Sequence, residues 1–158
     1  MKELFREHFK DYVTSGLKLK FDNLNEVQRS KYMATFYAEK VIQSVNPGLV
    51  PTTEEELVTC LVDGPDDCGV DFLSREGNTV LIIQAKFSGT KKAGSKQIED
   101  AERFDYFCSV LARLYAGPKK FKMNQKVKEA RAEIDWDRDS FLLHYITLAQ
   151  PAESAHEW

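Results

Sequence analysis

The chain has 158 residues, of which 42% are hydrophobic and 30% are charged, and its formal net charge is −3. This size suits one globular domain with a sizeable core, and no apolar run approaches the roughly 20 residues of a membrane span. A negative net charge argues against a general polyanion binder, but the charge is unevenly distributed. Residues 86–128 hold 11 Lys/Arg against 4 Asp/Glu, whereas 1–85 and 129–158 are each net −5.

The first third of the chain predicts two helices. Residues 2–15 place apolar side chains on one helical face, and the alternation in 17–21 indicates a short strand or an extended linker. Asn25 and Gln28 have the spacing of a capping box, in which each side chain bonds the backbone N–H of the other residue. A second helix is therefore expected over 26–45.

An acidic and then apolar stretch precedes a loop rich in aspartate. Residues 57–62 predict a strand, with a short helix as the alternative. Asp63, Asp66 and Asp67 follow in a loop that contains glycine and proline. Aspartates in such loops usually form turns through side-chain bonds to the backbone, and the other interpretation is a metal-binding or substrate-binding role.

Two apolar runs, 69–73 and 79–86, flank a turn and predict a β-hairpin. Gly77-Asn78 is a favoured two-residue connection of type II′, and the second run is rich in β-branched residues. The turn pairs Glu76 with Thr79 and so sets the register of the two strands.

Three polar residues fall within this otherwise apolar hairpin. The register places Asp71 opposite Gln84, and Lys86 points to the same face because side chains alternate with period 2. Polar groups in buried β-structure must be paired or bound to something. One interpretation is a divalent cation held by Asp71 and the Gln84 side-chain oxygen; the other is an Asp71–Lys86 ion pair that holds the hairpin together.

The basic segment begins with a loop over 88–96. Its lysines Lys91, Lys92 and Lys96 could neutralise a phosphate backbone, and the loop could equally be a simple connector. Solvated helix faces are the alternative interpretation of the whole basic segment.

The rest of the chain predicts a helix over 95–116, a basic helical stretch over 121–133 and a buried strand over 141–148. His144 lies in that strand, where a histidine is more often a hydrogen-bonded core residue than a catalytic one. The cysteines, Cys60, Cys68 and Cys108, lack C-x-x-C spacing and fit reduced, mostly buried thiols. The start of the chain offers no signal peptide, so a cytoplasmic protein is expected.

The hairpin carries a family resemblance. An aspartate, about a dozen residues, and then Gln84-Ala85-Lys86 at the end of a strand resemble the PD-(D/E)XK nuclease superfamily, in its Mrr-like Gln-x-Lys variant. The sequence of 63–71, together with Ile83-Gln84-Ala85-Lys86-Phe87, is most similar to the N-terminal nuclease domain of abortive-infection phage-resistance proteins.

That resemblance implies a restriction-endonuclease-like α/β fold, with a central mixed sheet flanked by helices, in a single domain over 1–158 that could be the N-terminal part of a longer protein. It implies Mg²⁺- or Mn²⁺-dependent cleavage of DNA in restriction or phage defence. The metal ligands would be Asp71, Gln84 and the Ala85 carbonyl. An acidic residue on the helix before the sheet, Glu39, is a further implied ligand, and Lys86 would orient or deprotonate the attacking water.

Two other classes of function remain open from the residues alone. A nuclease-like module that binds nucleic acid or a partner protein, without cleaving nucleic acid, would need the basic segment but no metal. A structural interaction domain would use Asp71 and Lys86 only as an ion pair. Nucleases that cut both strands of a duplex often pair two active sites, so a homodimer is a further expectation.

Overall fold

A computed structural model describes residues 2–62, 64–87 and 109–148. Its sheet has three strands: β1 (Phe72–Glu76), β2 (Thr79–Lys86) and β3 (Ser140–Thr147). β2 lies in the middle, antiparallel to β1 and parallel to β3. The prediction of an α/β protein with a mixed sheet and flanking helices is confirmed at that level.

Six α-helical segments accompany the sheet among the described residues. Their bounds are α1 (Lys2–Asp11), α2 (Glu26–Tyr37), α3 (Gln43–Val45), α4 (Glu54–Cys60), α5 (109–116) and α6 (Gln125–Ala132). Wide π-helical turns extend α1 over Tyr12–Gly16 and join α2 to α3 over Ala38–Ile42. Short 3₁₀ turns form at Phe21–Asn23 and Pro47–Leu49.

The second helix begins as its cap predicts. The Asn25 side chain accepts from the Gln28 backbone N–H at 2.9 Å, and the Gln28 side chain accepts from the Asn25 backbone N–H at 3.0 Å. The helical course continues through the π turn and α3 to Val45, as expected for 26–45. Of the two alternatives for the segment after the first helix, residues 17–20 form a linker and not a strand.

Of the two alternatives for 57–62, the strand is wrong and the short helix forms as far as Cys60, as part of α4. Thr53 caps this helix by accepting from the Glu56 N–H, and three glutamates fill the first turn, where the helix dipole favours negative charge. Capping and dipole thus outweigh the β-branched composition. Leu61 alone bridges to Phe72 in the sheet.

Two apolar clusters cover opposite faces of the sheet. Leu81, Ile83 and Ala85 of β2 pack with residues of α1 and α2 in the first cluster. Val80 and Ile82 pack with residues of α5 and α6 in the second. Since strand residues alternate between faces, even-numbered positions of β2 face α5 and α6, and odd-numbered positions face α1 and α2.

The C-terminal elements depart from their predictions in extent and burial. The 121–133 helix is confirmed but shorter, as Gln125–Ala132 with Asn124 as its cap. β3 forms where expected, yet most of its side chains are only half-buried, and Leu142 is 36% exposed. The prediction of a buried strand is therefore wrong, because β3 is an edge strand of the described sheet.

Candidate functional site

The β-hairpin has the register that its turn predicts. Five pairs run from Glu76↔Thr79 to Phe72↔Ile83, and Gly77 occupies the turn with φ 55°. A positive φ at this position is one that glycine adopts at little steric cost. The ladder ends at Phe72, so Asp71 lies just outside it and the expected Asp71–Gln84 pair is not part of the ladder.

Asp71 is held instead by hydrogen bonds to β2 on one side and to Val62 on the other. Its backbone N–H donates to the Ile83 carbonyl at 2.9 Å, and its carbonyl accepts from the Val62 N–H at 2.9 Å. Its carboxylate oxygen Oδ2 accepts from the Ala85 N–H at 2.7 Å. Because a strand N–H lies in the plane of the sheet, the carboxylate sits at the edge of β2 rather than above one face.

The two polar side chains of β2 share one face. Gln84 is half-buried and Lys86 is exposed, and both occupy even-numbered positions on the face that packs against α5 and α6. The N–H and C=O of one strand residue point to the same side, so the Ala85 carbonyl is directed to the edge where Asp71 lies. The structure therefore brings the Asp71 carboxylate beside the Gln84-Ala85-Lys86 segment.

The loop before Asp71 is a tight turn built by its aspartates. Asp67 Oδ1 accepts from the Gly69 N–H at 2.8 Å, which is the turn-forming bond expected of a loop aspartate. Asp66 and Cys68 have φ values of 65° and 60°, in the left-handed region. Asp63 lies outside the described residues. The described aspartates thus shape the chain that leads into Asp71.

A basic surface adjoins this loop. Residues 113–128 contain six Lys/Arg and no Asp/Glu. The Asn124 N–H donates to the Asp66 carbonyl at 3.0 Å, and Lys126 Nζ donates to the Leu61 carbonyl at 3.0 Å. The described half of the basic segment is therefore anchored to the chain that leads to Asp71. The loop lysines Lys91, Lys92 and Lys96 lie outside the described residues.

Glu39 lies elsewhere, in the π turn after α2. Its carboxylate oxygen Oε2 accepts from the Tyr12 hydroxyl at 2.5 Å, and Tyr12 itself begins the π turn after α1. Burial, and then the hydrogen bond to Glu39, raises the pKa of the Tyr12 phenol. The described contacts of Glu39 are thus with α1, and none joins it to Asp71, Gln84 or Lys86. Its assignment as a metal ligand stays a prediction.

Two hydrogen bonds define the path of α2 along the sheet. Ser30 accepts from the Phe87 N–H at 2.9 Å, and Tyr37 bonds His144, which pairs with Ile83. The helix therefore runs back along the sheet from the carboxyl end of β2.

The pairing of Tyr12 with Glu39 is not predicted by the sequence pattern. The apolar face of α1 assigns Tyr12 to packing, and nothing in the local pattern pairs positions 27 residues apart. A groove of about 610 Å³ opens beside this contact, lined mainly by Leu4, Phe5, Phe36 and Val41. It is an apolar groove between helices, distant in sequence from the hairpin.

His144 is hydrogen-bonded, as expected, but it is half-buried rather than part of the core. Its Nδ1 lies 3.1 Å from the Tyr37 hydroxyl, and burial lowers its pKa. Cys60 and Cys68 are free thiols, both half-buried, and burial raises the pKa of each. Cys108 lies outside the described residues.

Within the described ranges, no three or more His, Cys, Asp or Glu side chains are grouped so that they could hold a metal ion. A site built from one carboxylate, one amide and one backbone carbonyl is not a group of that kind. None of the helices among these residues has both the length and the apolar character needed to span a membrane. Comparison of the chain with protein-family models, curated proteins and solved structures found no match.

Proposed function

We propose that this chain is a metal-dependent nuclease that hydrolyses phosphodiester bonds in DNA, on a restriction-endonuclease-like fold, with a role in restriction or phage defence. The observation that carries the proposal is the 2.7 Å hydrogen bond from the Ala85 N–H to Asp71 Oδ2. It brings the two halves of the Asp…Gln-x-Lys motif together in space. A metal site built from this motif requires these groups to lie side by side.

The groups at this edge have the chemistry that a magnesium site requires. A carboxylate oxygen of Asp71, the side-chain oxygen of Gln84 and the carbonyl of Ala85 are hard oxygen ligands, which Mg²⁺ and Mn²⁺ prefer. A carboxylate has about four lone-pair sites, so one that accepts hydrogen bonds can also ligate a metal ion. When bound, the metal would polarise the scissile phosphate and lower the pKa of a water.

The protein side chains have separate tasks in this mechanism. Three hydrogen bonds fix Asp71 and preorganise its carboxylate. The exposed ammonium of Lys86 would orient the attacking water and stabilise the negative charge that develops on phosphate. Gln84 supplies a ligand without charge, so metal binding is weaker than it would be with a second carboxylate.

A plasmid-cleavage assay in Mg²⁺, in Mn²⁺ and in EDTA tests the proposal. Asp71→Ala and Lys86→Ala should each abolish metal-dependent cleavage while leaving the circular dichroism spectrum unchanged. Asp137→Asn and Lys40→Gln, which change exposed residues elsewhere, should cleave as the wild type does. Undiminished cleavage by either site variant would rule out the proposed nuclease site.

The basic surface of residues 113–128 favours a second candidate, a nuclease-like module that binds nucleic acid without cutting it. Phosphate contacts alone would then supply the affinity, which would fall with salt and not depend on metal. Calorimetric titration with Mn²⁺ separates the two. The nuclease proposal expects a binding heat that weakens in Asp71→Asn, and the binding module expects none.

A further inference from the structure

A cluster of cations surrounds two aromatic rings at the carboxyl end of β2. The rings of Phe21 and Phe87 are 5.7 Å apart in an edge-to-face arrangement. The Arg29 guanidinium lies 4.7 Å from the Phe21 ring centre and 5.4 Å from that of Phe87. Arg6 lies 5.6 Å from the Phe87 ring, and Lys10 Nζ lies 5.9 Å from the Phe21 ring.

The aromatic rings hold the cations in place. Phe87 is 5% exposed, and its N–H donates to Ser30 Oγ at 2.9 Å, which fixes the ring between α1 and α2. Arg29 donates from Nη2 to the Phe21 carbonyl at 3.3 Å. A guanidinium stacked on an aromatic face loses little freedom when its remaining N–H groups bind an anion.

The cations of this cluster have no direct carboxylate partner among the described residues. Across residues 2–62, 64–87 and 109–148, no carboxylate forms a salt bridge with Arg6, Lys10 or Arg29. Arg29 Nε is buried and also has no hydrogen-bond acceptor within those ranges. Cations gathered around one pair of rings repel one another, so the arrangement would be stabilised by a bound anion.

The charge pattern of α1 points the same way. Arg6 and Lys10 are four residues apart, so they form a like-charge pair on one helical face, which destabilises an isolated helix. Glu3 and Glu7 precede them by three residues each, at the spacing of helical neighbours, but neither forms a salt bridge with them. The charge balance of the sequence does not indicate this cluster, because its three cations lie within residues 1–85, which are net −5. The spacing of Arg6 and Lys10 is the signal that could have indicated it.

The cluster directly adjoins the candidate site. Phe87 follows Lys86, and consecutive Cα atoms are about 3.8 Å apart. Lys86 and Phe87 alternate across the strand, so the end of β2 carries Lys86 toward one side and the aromatic–cation cluster toward the other. A chain of phosphates that crosses this end of β2 would meet both.

We propose that Arg6, Lys10 and Arg29 form a binding site for the phosphodiester backbone of a nucleic-acid strand, which they deliver to Asp71 and Lys86. This inference rests on the proposed function, because the bound strand is the one to be cut. Backbone phosphates are common to DNA and RNA, so the cluster itself recognises charge and not sequence.

Fluorescence anisotropy in EDTA tests the site without requiring cleavage. The probes are a labelled DNA strand, its duplex, and an RNA strand of the same sequence, each titrated at several salt concentrations. The test variant is Arg6→Gln with Lys10→Gln. The matched control is Lys40→Gln with Arg138→Gln, which removes one lysine and one arginine from exposed positions elsewhere.

Loss of two phosphate contacts has a defined signature. The slope of log K against log salt should decrease in magnitude by about 1.4 for single strands and about 1.8 for the duplex. Affinity at 0.1 M salt should fall roughly five- to eightfold per contact. The control should keep the wild-type slope, and the charge-retaining swap Arg6→Lys with Lys10→Arg should restore it. The probe that binds most tightly identifies the nucleic acid.

Two outcomes would overturn the inference. One is a test variant with the slope and affinity of the control; the other is a charge-retaining swap that binds as weakly as the glutamine variant, which would show a structural role. If the double variant does not fold, Lys10→Gln alone should show half of the slope change. A changed slope in a protein that never cleaves DNA would sink the nuclease proposal alone, whereas cleavage with an unchanged slope would sink this inference alone.

Discussion

Two carboxylates were the metal-ligand candidates of this chain, and the structure gives them opposite surroundings. Asp71 accepts a backbone N–H at the edge of β2, next to the half-buried Gln84 and the exposed Lys86. Glu39 accepts a phenol hydroxyl between two helices. One carboxylate lies at the open end of a sheet, and the other is occupied in joining α1 to α2.

The comparison teaches which kind of sequence signal can place a functional group. Asp71 and Gln84 are linked by a two-residue turn whose register extends along the strands, so local chemistry determines their separation. The position of Glu39 depends on how α2 crosses the sheet and on which residue of α1 meets it. Helical periodicity indicates a face of the helix, but not the distance of that face from a strand end.

Cleavage should show the largest difference between the two carboxylates. Asp71→Asn should lower the cleavage rate by roughly 100-fold or more, the loss expected when one preorganised electrostatic group is removed. Glu39→Gln keeps an oxygen that can accept from Tyr12 and should cleave at nearly the wild-type rate. A plasmid assay at saturating Mg²⁺ measures both. A large loss in Glu39→Gln would instead support the predicted role of Glu39 as a further metal ligand.

Stability should distinguish the same two positions by a smaller amount. Asp71→Ala leaves the Ala85 N–H without its acceptor, which should cost about 1–3 kcal/mol in the free energy of unfolding. Asp71→Asn retains a side-chain oxygen and should cost less. Tyr12→Phe removes the hydroxyl that donates to Glu39 and should cost about 1 kcal/mol. Urea unfolding at neutral pH measures all three. Equal stability of Asp71→Ala and Asp71→Asn would show that the bond to Ala85 contributes nothing.

Much of the fold could be predicted because its determinants are local. The capping box at Asn25 and the turn at Gly77 are short patterns with one preferred geometry, and both form as expected. The strand predicted over 57–62 failed because a helix cap and an acidic first turn outweigh the apolar run that follows them. Composition alone does not reveal that competition.

The candidate site was only partly predictable for a related reason. Extending the ladder by one residue puts Asp71 opposite Gln84, but the backbone of Asp71 is bonded to Val62 on its other side. Val62 precedes the aspartate-containing loop, and the strand pattern of 69–73 does not predict its bond to Asp71. The cations around Phe21 and Phe87 likewise come from two helices and the end of a strand, so only the assembled fold brings them together.

Alkaline pH should weaken the hydrogen bond between the Tyr12 hydroxyl and the Glu39 carboxylate. The pKa of Tyr12 is raised by burial and by Glu39 above its usual value of about 10, so the folded state holds this proton more tightly than the unfolded state. The resulting stability is fully present below about pH 10 and is lost as pH rises through the folded-state pKa. Urea midpoints measured from neutral pH upwards should fall less steeply in Tyr12→Phe. Burial also raises the pKa of Tyr37, which should account for part of the remaining slope.

Acidic pH should weaken the contact between Tyr37 of α2 and His144 of β3, and this should be the smallest of the predicted effects. Burial lowers the pKa of His144, whose Nδ1 lies 3.1 Å from the Tyr37 hydroxyl, so the unfolded state takes up a proton before the folded state does. The stability linked to neutral His144 is therefore present above about pH 6.5 and is lost as pH falls through the folded-state pKa. His144→Asn should lack this part of the acid destabilisation in urea midpoints measured between about pH 7 and pH 5. Asp71→Asn should retain it, since the two residues share no described contact. An acid profile of His144→Asn that parallels the wild type would show that groups other than His144 cause the acid destabilisation.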